Sequence, residues 1–336
     1  MNENTINKTA RVKKNRFFLF AVIFIIWLLF ALNNGNIDYA NYKNEYDAIG
    51  MGNGSGYFEI GFEFIMRIGG FLHMSYAVFL AVVATICVIF LYKIIGFFAR
   101  NNTFVWILYL IYPFVFDVVQ YRNLLAALIC LYALRFIVGK DKLGVLKYVA
   151  HVLLAMTFHM SAIVYLLFLL IKIKNWKRLT VLCLIINVLM ITALFTKEHL
   201  ESLLTKLRLD RYVRYDISGS VSTFVQYLLV YLFFLALSLI KYRRRYNCVA
   251  FKLVLIISVY VPTILLNGTA ARLFRNAFLL IYCILAAESG YVDKTTQRFI
   301  NFAMFFAMLF VAWMQLGSGL YYDGVLVPVI TENWLW

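Results

Sequence analysis

Ten basic residues stand apart from the other cations of this chain: Lys43, Arg67, Arg122, Lys197, Lys206, Arg208, Arg211, Arg214, Arg272 and Arg275. Seven are Arg, whose planar guanidinium fork matches phosphate oxygens two at a time. Arg122 begins an apolar run. Arg272 and Arg275, three apart, share one helical face at the start of another. A charge at the depth of such runs costs about 2.5–3.5 kcal/mol or more, so it faces a cavity or a partner. The set therefore reads as a cavity for a phosphorylated headgroup, against the alternative of single side chains snorkelling to the interface.

Acids are scarce. Asp38, Glu45, Asp47, Glu59, Glu63 and Asp117 share that side, and Asp38, Glu59 or Asp117 could act as a general base. Asp117 and Arg122 bracket a short turn, so a local ion pair is the alternative for them. Asp47 and Glu45 read as solvated. His159, in Thr-Phe-His-Met-Ser, falls at an apex between two apolar runs, where an imidazole could take a proton from a sugar hydroxyl or cap a broken helix. His151 reads as a hydrogen-bonded core residue, and His73 and His199 as loop residues. Tyr42 and Tyr46 could stack on sugar faces or anchor an interface.

The elements that must carry these residues follow from composition. Of the 336 residues 64% are apolar and 14% charged, with a mean hydropathy of +0.82, far outside the range of soluble domains. A hydrocarbon core about 30 Å thick needs roughly 20 apolar residues per helix. The runs predict an all-α, polytopic membrane protein of about 10–12 spans, near 17–32, 75–95, 103–117, 122–138, 145–158, 161–172, 179–195, 223–240, 249–266, 274–288 and 299–314. Residues 1–16 form a basic tail and 17–314 one membrane domain. The outer pieces are 33–74, 196–222 and the tail 315–336. An amphipathic stretch, Tyr57 to His73, is too polar to span and fits an interfacial or re-entrant helix.

With the N-terminus in the cytoplasm, 22 of the 32 basic residues fall on inner segments, so the net charge of +16 reflects orientation in a bacterial plasma membrane and not nucleic-acid binding. That count depends on a chain reversal at His159. One continuous helix over 147–171 would invert everything after it. The five cysteines have no CxxC spacing and read as core residues. No nucleotide-binding or zinc motif occurs, no Asp-x-Asp pair is present to clamp a metal, and the inner loops are too short for a cytosolic catalytic domain. No metal and no cofactor is expected.

Four elements together resemble a known family. Asp38-Tyr39-x-x-Tyr42-x-x-x-Tyr46 with Glu59-x-Gly61-Phe62-Glu63 resembles the start of EpsG-like, Wzy-type polysaccharide polymerases. Gln120-Tyr121-Arg122-Asn123-x-x-Ala126 is similar to that family's Arg-Gln/Asn-x-x-Ala element, with Asn123 where Gln is usual. Phe158-His159-x-Ser161-Ala162 is similar to its His-x-Ser-Ala element, and Arg272-x-x-Arg275 to its later arginine-bearing helix. The resemblance implies a metal-independent, multi-span fold of the membrane glycosyltransferase kind (GT-C-like). It implies an enzyme that joins undecaprenyl-diphosphate-linked repeat units into capsule, O-antigen or exopolysaccharide at the outer leaflet, with membrane lipids, a flippase and a chain-length regulator as its company. On this view Arg122, Arg272 and Arg275, with Arg211 or Arg214, hold the donor diphosphate. His159, Asp38, Glu59 or Asp117 deprotonates the acceptor. A flippase for the same lipid-linked oligosaccharide is the rival reading, although no paired repeat supports it. A membrane acyltransferase would need an inner-side site for its donor, and no such constellation stands out.

Overall fold

A computed structural model describes residues 16–54, 56–100, 102–139, 141–192, 221–266, 270–288, 290–317 and 319–334. Among these the chain is an all-α polytopic membrane protein. Ten of the eleven expected apolar runs carry an α-helix among the described residues: α1 (Arg16–Ala31), α4 (Tyr76–Ala99), α5 (Thr103–Ile111), α7 (Tyr121–Val138), α8 (Gly144–Met156), α9 (Trp176–Thr192), α10 (Val221–Tyr242), α11 (Val249–Ile257), α13 (Ala271–Ala286) and α14 (Lys294–Leu316). Four of them, α4, α7, α10 and α14, are long and apolar enough to cross a bilayer unaided. Two runs are interrupted. Pro113, which lacks an amide proton, separates α5 from α6 (Phe114–Val119), and a 3₁₀ turn at Ser258–Tyr260 parts α11 from α12 (Thr263–Leu266). The first outer piece holds two further helices, α2 (Tyr39–Gly50) and α3 (Ile60–Phe71).

The reversal at His159 is present. Tyr148 Oη in α8 donates to the Tyr165 carbonyl at 2.6 Å, a contact that a straight helix through His159 would hold about 25 Å apart. The return segment, Met160–Lys172, is a 3₁₀ helix of 13 residues, unusually long for that geometry. Its buried residues are Ala162, Tyr165, Phe168 and Ile171, a strict period of three. Three residues per turn place them in one row, and a rise of about 2.0 Å carries the segment roughly 26 Å. Lys172 thereby reaches the Ile137 carbonyl at the end of α7, and Lys252 reaches the carbonyls of Ile171 and Ile173.

These contacts sort the bundle into two ends. At one end Asn102 donates to Ala286 and Lys241 to Leu285 and Ala287, beside the Lys172 and Lys252 contacts. At the other, Asn33 donates to the carbonyls of Pro328 and Glu332, which folds the final helix, α15 (Val327–Thr331), onto the end of α1. α2, α3 and the turn at His159 belong to this second end.

One close approach fixes α3 there. Gly61 N–H donates to the Thr157 carbonyl at 2.8 Å, and a Cβ on Gly61 would lie 2.2 Å from Thr157 Oγ1 and 2.9 Å from its carbonyl oxygen. The Gly61→Ala protein is therefore expected to lose about 1–3 kcal/mol of stability as α3 is pushed off the turn. Denaturant-induced unfolding in detergent micelles measures it.

Candidate active site

The residues singled out in the sequence divide into a group that the fold assembles and a group that it separates. Glu59 is the hub of the first. It precedes α3 as its N-cap residue. Its Oε1 accepts the Met160 N–H at 3.1 Å, and its Oε2 forms an ion pair with Arg122 Nη1. Three elements far apart in sequence are tied at one carboxylate: the α3 start, the α7 start and the head of the 3₁₀ helix. Arg122 also lies 4.6 Å from the Phe58 ring centroid, a cation–π contact that holds the guanidinium from behind.

His159 caps the 3₁₀ helix. Its Nδ1 accepts the Ser161 N–H at 3.3 Å and lies 2.7 Å from Ser161 Oγ. A backbone amide can only donate, so Nδ1 is the bare nitrogen and Nε2 carries the proton of the neutral ring. Burial, then the cations of Arg272 and Arg122, push the imidazole down to about 2. In this geometry the neutral ring of His159 offers a hydrogen bond through Nε2–H, and its lowered pKa favours that role over the base role expected from the sequence.

Asp38 is half-buried just before α2. Its backbone N–H is bound by Asn36 Oδ1, whereas its carboxylate accepts no hydrogen bond among the described residues. Burial raises its pKa above the ordinary 3.8, and Arg122 and Arg272 pull it part of the way back. The same two guanidiniums act on His159. Asp38, Arg122, His159 and Arg272 therefore share one neighbourhood, drawn from four separate stretches of chain.

Arg272 stands apart from the rest of its helix. Every residue of α13 is buried except Arg272. A helix enclosed on all sides is a core element, and Arg272, at its N-terminal end, is its one part-exposed side chain. No hydrogen bond or ion pair of its guanidinium occurs among the described residues. Arg275, one turn on, is different. It is 6% exposed, donates to Gln120 Oε1 at 3.2 Å and lies 4.2 Å from the Phe116 ring centroid. It braces α13 against the α6–α7 turn from inside.

Other expectations are redistributed. Asp117 does not pair with Arg122. The break at Pro113 and the turn at Gln120 aim it inward, where it is 4% exposed and accepts a hydrogen bond from Tyr109 Oη at 2.8 Å. Tyr42 and Tyr46 are core residues. Tyr42 stacks on Phe58 at 5.0 Å and lies 4.4 Å from Tyr121. Tyr46 packs on Phe79 at 4.7 Å and donates to the Met74 carbonyl. Stacking on a sugar needs a free ring face, and both residues are buried. Lys43 and Asp47 pair with each other on the exposed side of α2. His151 is bound to the Lys147 carbonyl through Nδ1 at 2.7 Å. Arg211 and Arg214, with Lys197, His199, Lys206 and Arg208, lie outside the described residues. Gln120, the partner of Arg275, carries no signal in the sequence beyond its neighbour Arg122.

Glu59 is thus a positioning residue for Arg122. The Glu59→Gln protein keeps an acceptor for Met160 but loses the anion opposite a largely buried guanidinium. A destabilisation of about 1.5–3 kcal/mol is expected, in the range of hydrogen bonds to charged groups, read as a lower unfolding midpoint in detergent.

A family model described as the EpsG family matches residues 16–325. No curated protein and no solved structure matches the chain.

Proposed function

This chain belongs to the EpsG family, a family of polysaccharide polymerases, and from that premise we propose that it transfers a growing glycan from a polyprenyl-diphosphate carrier to a sugar hydroxyl of a second lipid-linked repeat unit. The observation that carries the reading is the convergence of Arg122, His159 and Asp38 on Arg272, whose guanidinium has no partner among the described residues.

Each group has a task its geometry suits. Arg272 and Arg122 bind the donor diphosphate and stabilise the charge that gathers on it as it leaves. The Nε2–H of His159 donates a third hydrogen bond to the same oxygens. The Asp38 carboxylate accepts the proton of the acceptor hydroxyl. That hydroxyl oxygen bonds to the anomeric carbon as the bond from this carbon to the diphosphate oxygen breaks, and the electron pair departs on the diphosphate. Attack from the face opposite the leaving group inverts the anomeric centre. Arg275 and Glu59 act through their neighbours, by fixing α13 and Arg122.

Lipid-linked sugars of this kind place their diphosphate at a membrane face. The basic segments at the far end of the bundle support a cytoplasmic assignment for that end, which puts the site at the outer face of a bacterial plasma membrane. The test uses purified full-length protein in vesicles with an undecaprenyl-diphosphate-linked repeat unit. A ladder of lengthened glycans supports the proposal. If the unit changes leaflet and never lengthens, the protein is a transporter.

A further inference from the structure

A cationic cavity lies at the opposite end of the molecule. A cavity of about 300 Å³ is lined by Lys241, Tyr242, Arg244, Arg245, Gly290 and Tyr291. Lys241 is fully buried, and its ammonium donates to the terminal carbonyls of α13, Leu285 at 2.6 Å and Ala287 at 2.7 Å. An ammonium has three protons to donate, so one remains for the cavity. Arg245 lies 5.4 Å from the Tyr291 ring centroid, and Tyr291 packs edge-on against Tyr242 at 5.5 Å, so two rings wall the space between the cations. Among the described residues none of Lys241, Arg244 and Arg245 forms an ion pair with a carboxylate. Three cations, one of them buried, line one cavity, and no carboxylate lines it among the described residues.

The geometry points to a phosphate group as the ligand of this cavity. A buried ammonium with its stem fixed by two carbonyls, flanked by two guanidiniums, suits a tetrahedral dianion or a phosphodiester. Aromatic rings beside the charges suit a headgroup at the membrane–water boundary. The 13 helical steps of α13 from Arg272 to Leu285 separate this cavity from the candidate active site by roughly 20 Å. The inference is independent of glycosyl transfer. The phosphate comes either from an anionic lipid or from solution.

The test uses the purified full chain in neutral detergent. Its unfolding midpoint is measured against added cardiolipin, phosphatidylglycerol or phosphatidylcholine, and against inorganic phosphate or chloride at matched ionic strength. The Arg244→Gln/Arg245→Gln protein is compared with Lys174→Gln/Lys177→Gln, which loses the same charge from exposed positions nearby. Stabilisation by the anionic lipids, weakened at least fivefold in apparent affinity only in the arginine pair, identifies a lipid headgroup. The same pattern with inorganic phosphate identifies a soluble anion. No stabilisation by either, or equal weakening in both double variants, overturns the site.

Discussion

Replacing Arg272 with Ala is expected to abolish glycan lengthening without loss of folded protein. The guanidinium has no partner among the described residues, and its nearest charged neighbours include two more guanidiniums, Arg122 and Arg275. Its removal relieves repulsion from those two at the cost of some attraction to Asp38 and Glu59, and strands no hydrogen-bond partner among the described residues. The unfolding midpoint should stay within about 0.5 kcal/mol of the parent or rise. Loss of one preorganised donor to a charge that develops in the transition state costs roughly 10²–10³ in rate. With the diphosphate's principal unpaired fork gone, the ladder should disappear at ordinary enzyme concentration. Arg272→Lys should recover part of the rate, because charge is kept while the bidentate geometry is lost. Arg275→Ala should behave oppositely. It strips Gln120 and Phe116 of a buried partner, so folded yield falls first. If the Arg272→Ala protein makes ladders of parental length, the diphosphate does not bind where α13 begins.

The second large effect concerns Asp38. Asp38→Asn keeps shape and removes the proton acceptor, and a loss of roughly 10²–10⁴ in lengthening rate is expected, the usual contribution of a positioned base. The pH profile gives an independent reading. Burial raises the Asp38 carboxyl above 3.8, opposed by Arg122 and Arg272, and the carboxylate is the working form. The rate should therefore climb with pH through a value above 3.8 and level off once Asp38 is ionised. His159, held down to about 2, is neutral throughout that window and adds no limb of its own. A limb near the ordinary imidazole value of 6.5 that disappears in the His159→Gln protein would return the base role to the histidine.

Much of this architecture was legible in the sequence because membrane helices are written as long apolar runs whose scale is set by the bilayer. The reversal at His159 could be preferred on the distribution of basic residues alone, and the Tyr148–Tyr165 hydrogen bond shows it. The pairing of Arg122 was not legible. Its nearest acid along the chain is Asp117, but the helix breaks at Pro113 and Gln120 turn that carboxylate into the core, and the partner is Glu59, 63 positions away. Nothing local distinguishes a tyrosine that anchors an interface from one packed in an aromatic core, so the burial of Tyr42 and Tyr46 needed three dimensions. The tautomer of His159 depends on the Ser161 amide, and sequence spacing alone does not say which nitrogen that amide meets.

The 3₁₀ segment from Met160 to Lys172 has a consequence for depth. Drawn out to roughly 26 Å, it ties the capping histidine at one end to the lysine at the other across a span slightly shorter than the hydrocarbon slab of about 30 Å. Relaxation to an α-helix would shorten it by about 6 Å and swing Tyr165, Phe168 and Ile171 off their common row. Length and rotation are therefore locked together, and the segment behaves as a ruler of fixed gauge. A ruler shorter than the slab matches this part of the bundle to a thin hydrocarbon layer. On the function proposed above, the carrier diphosphate is drawn below the headgroup plane to meet Arg122 and Arg272, and bilayer thickness becomes a variable of the reaction.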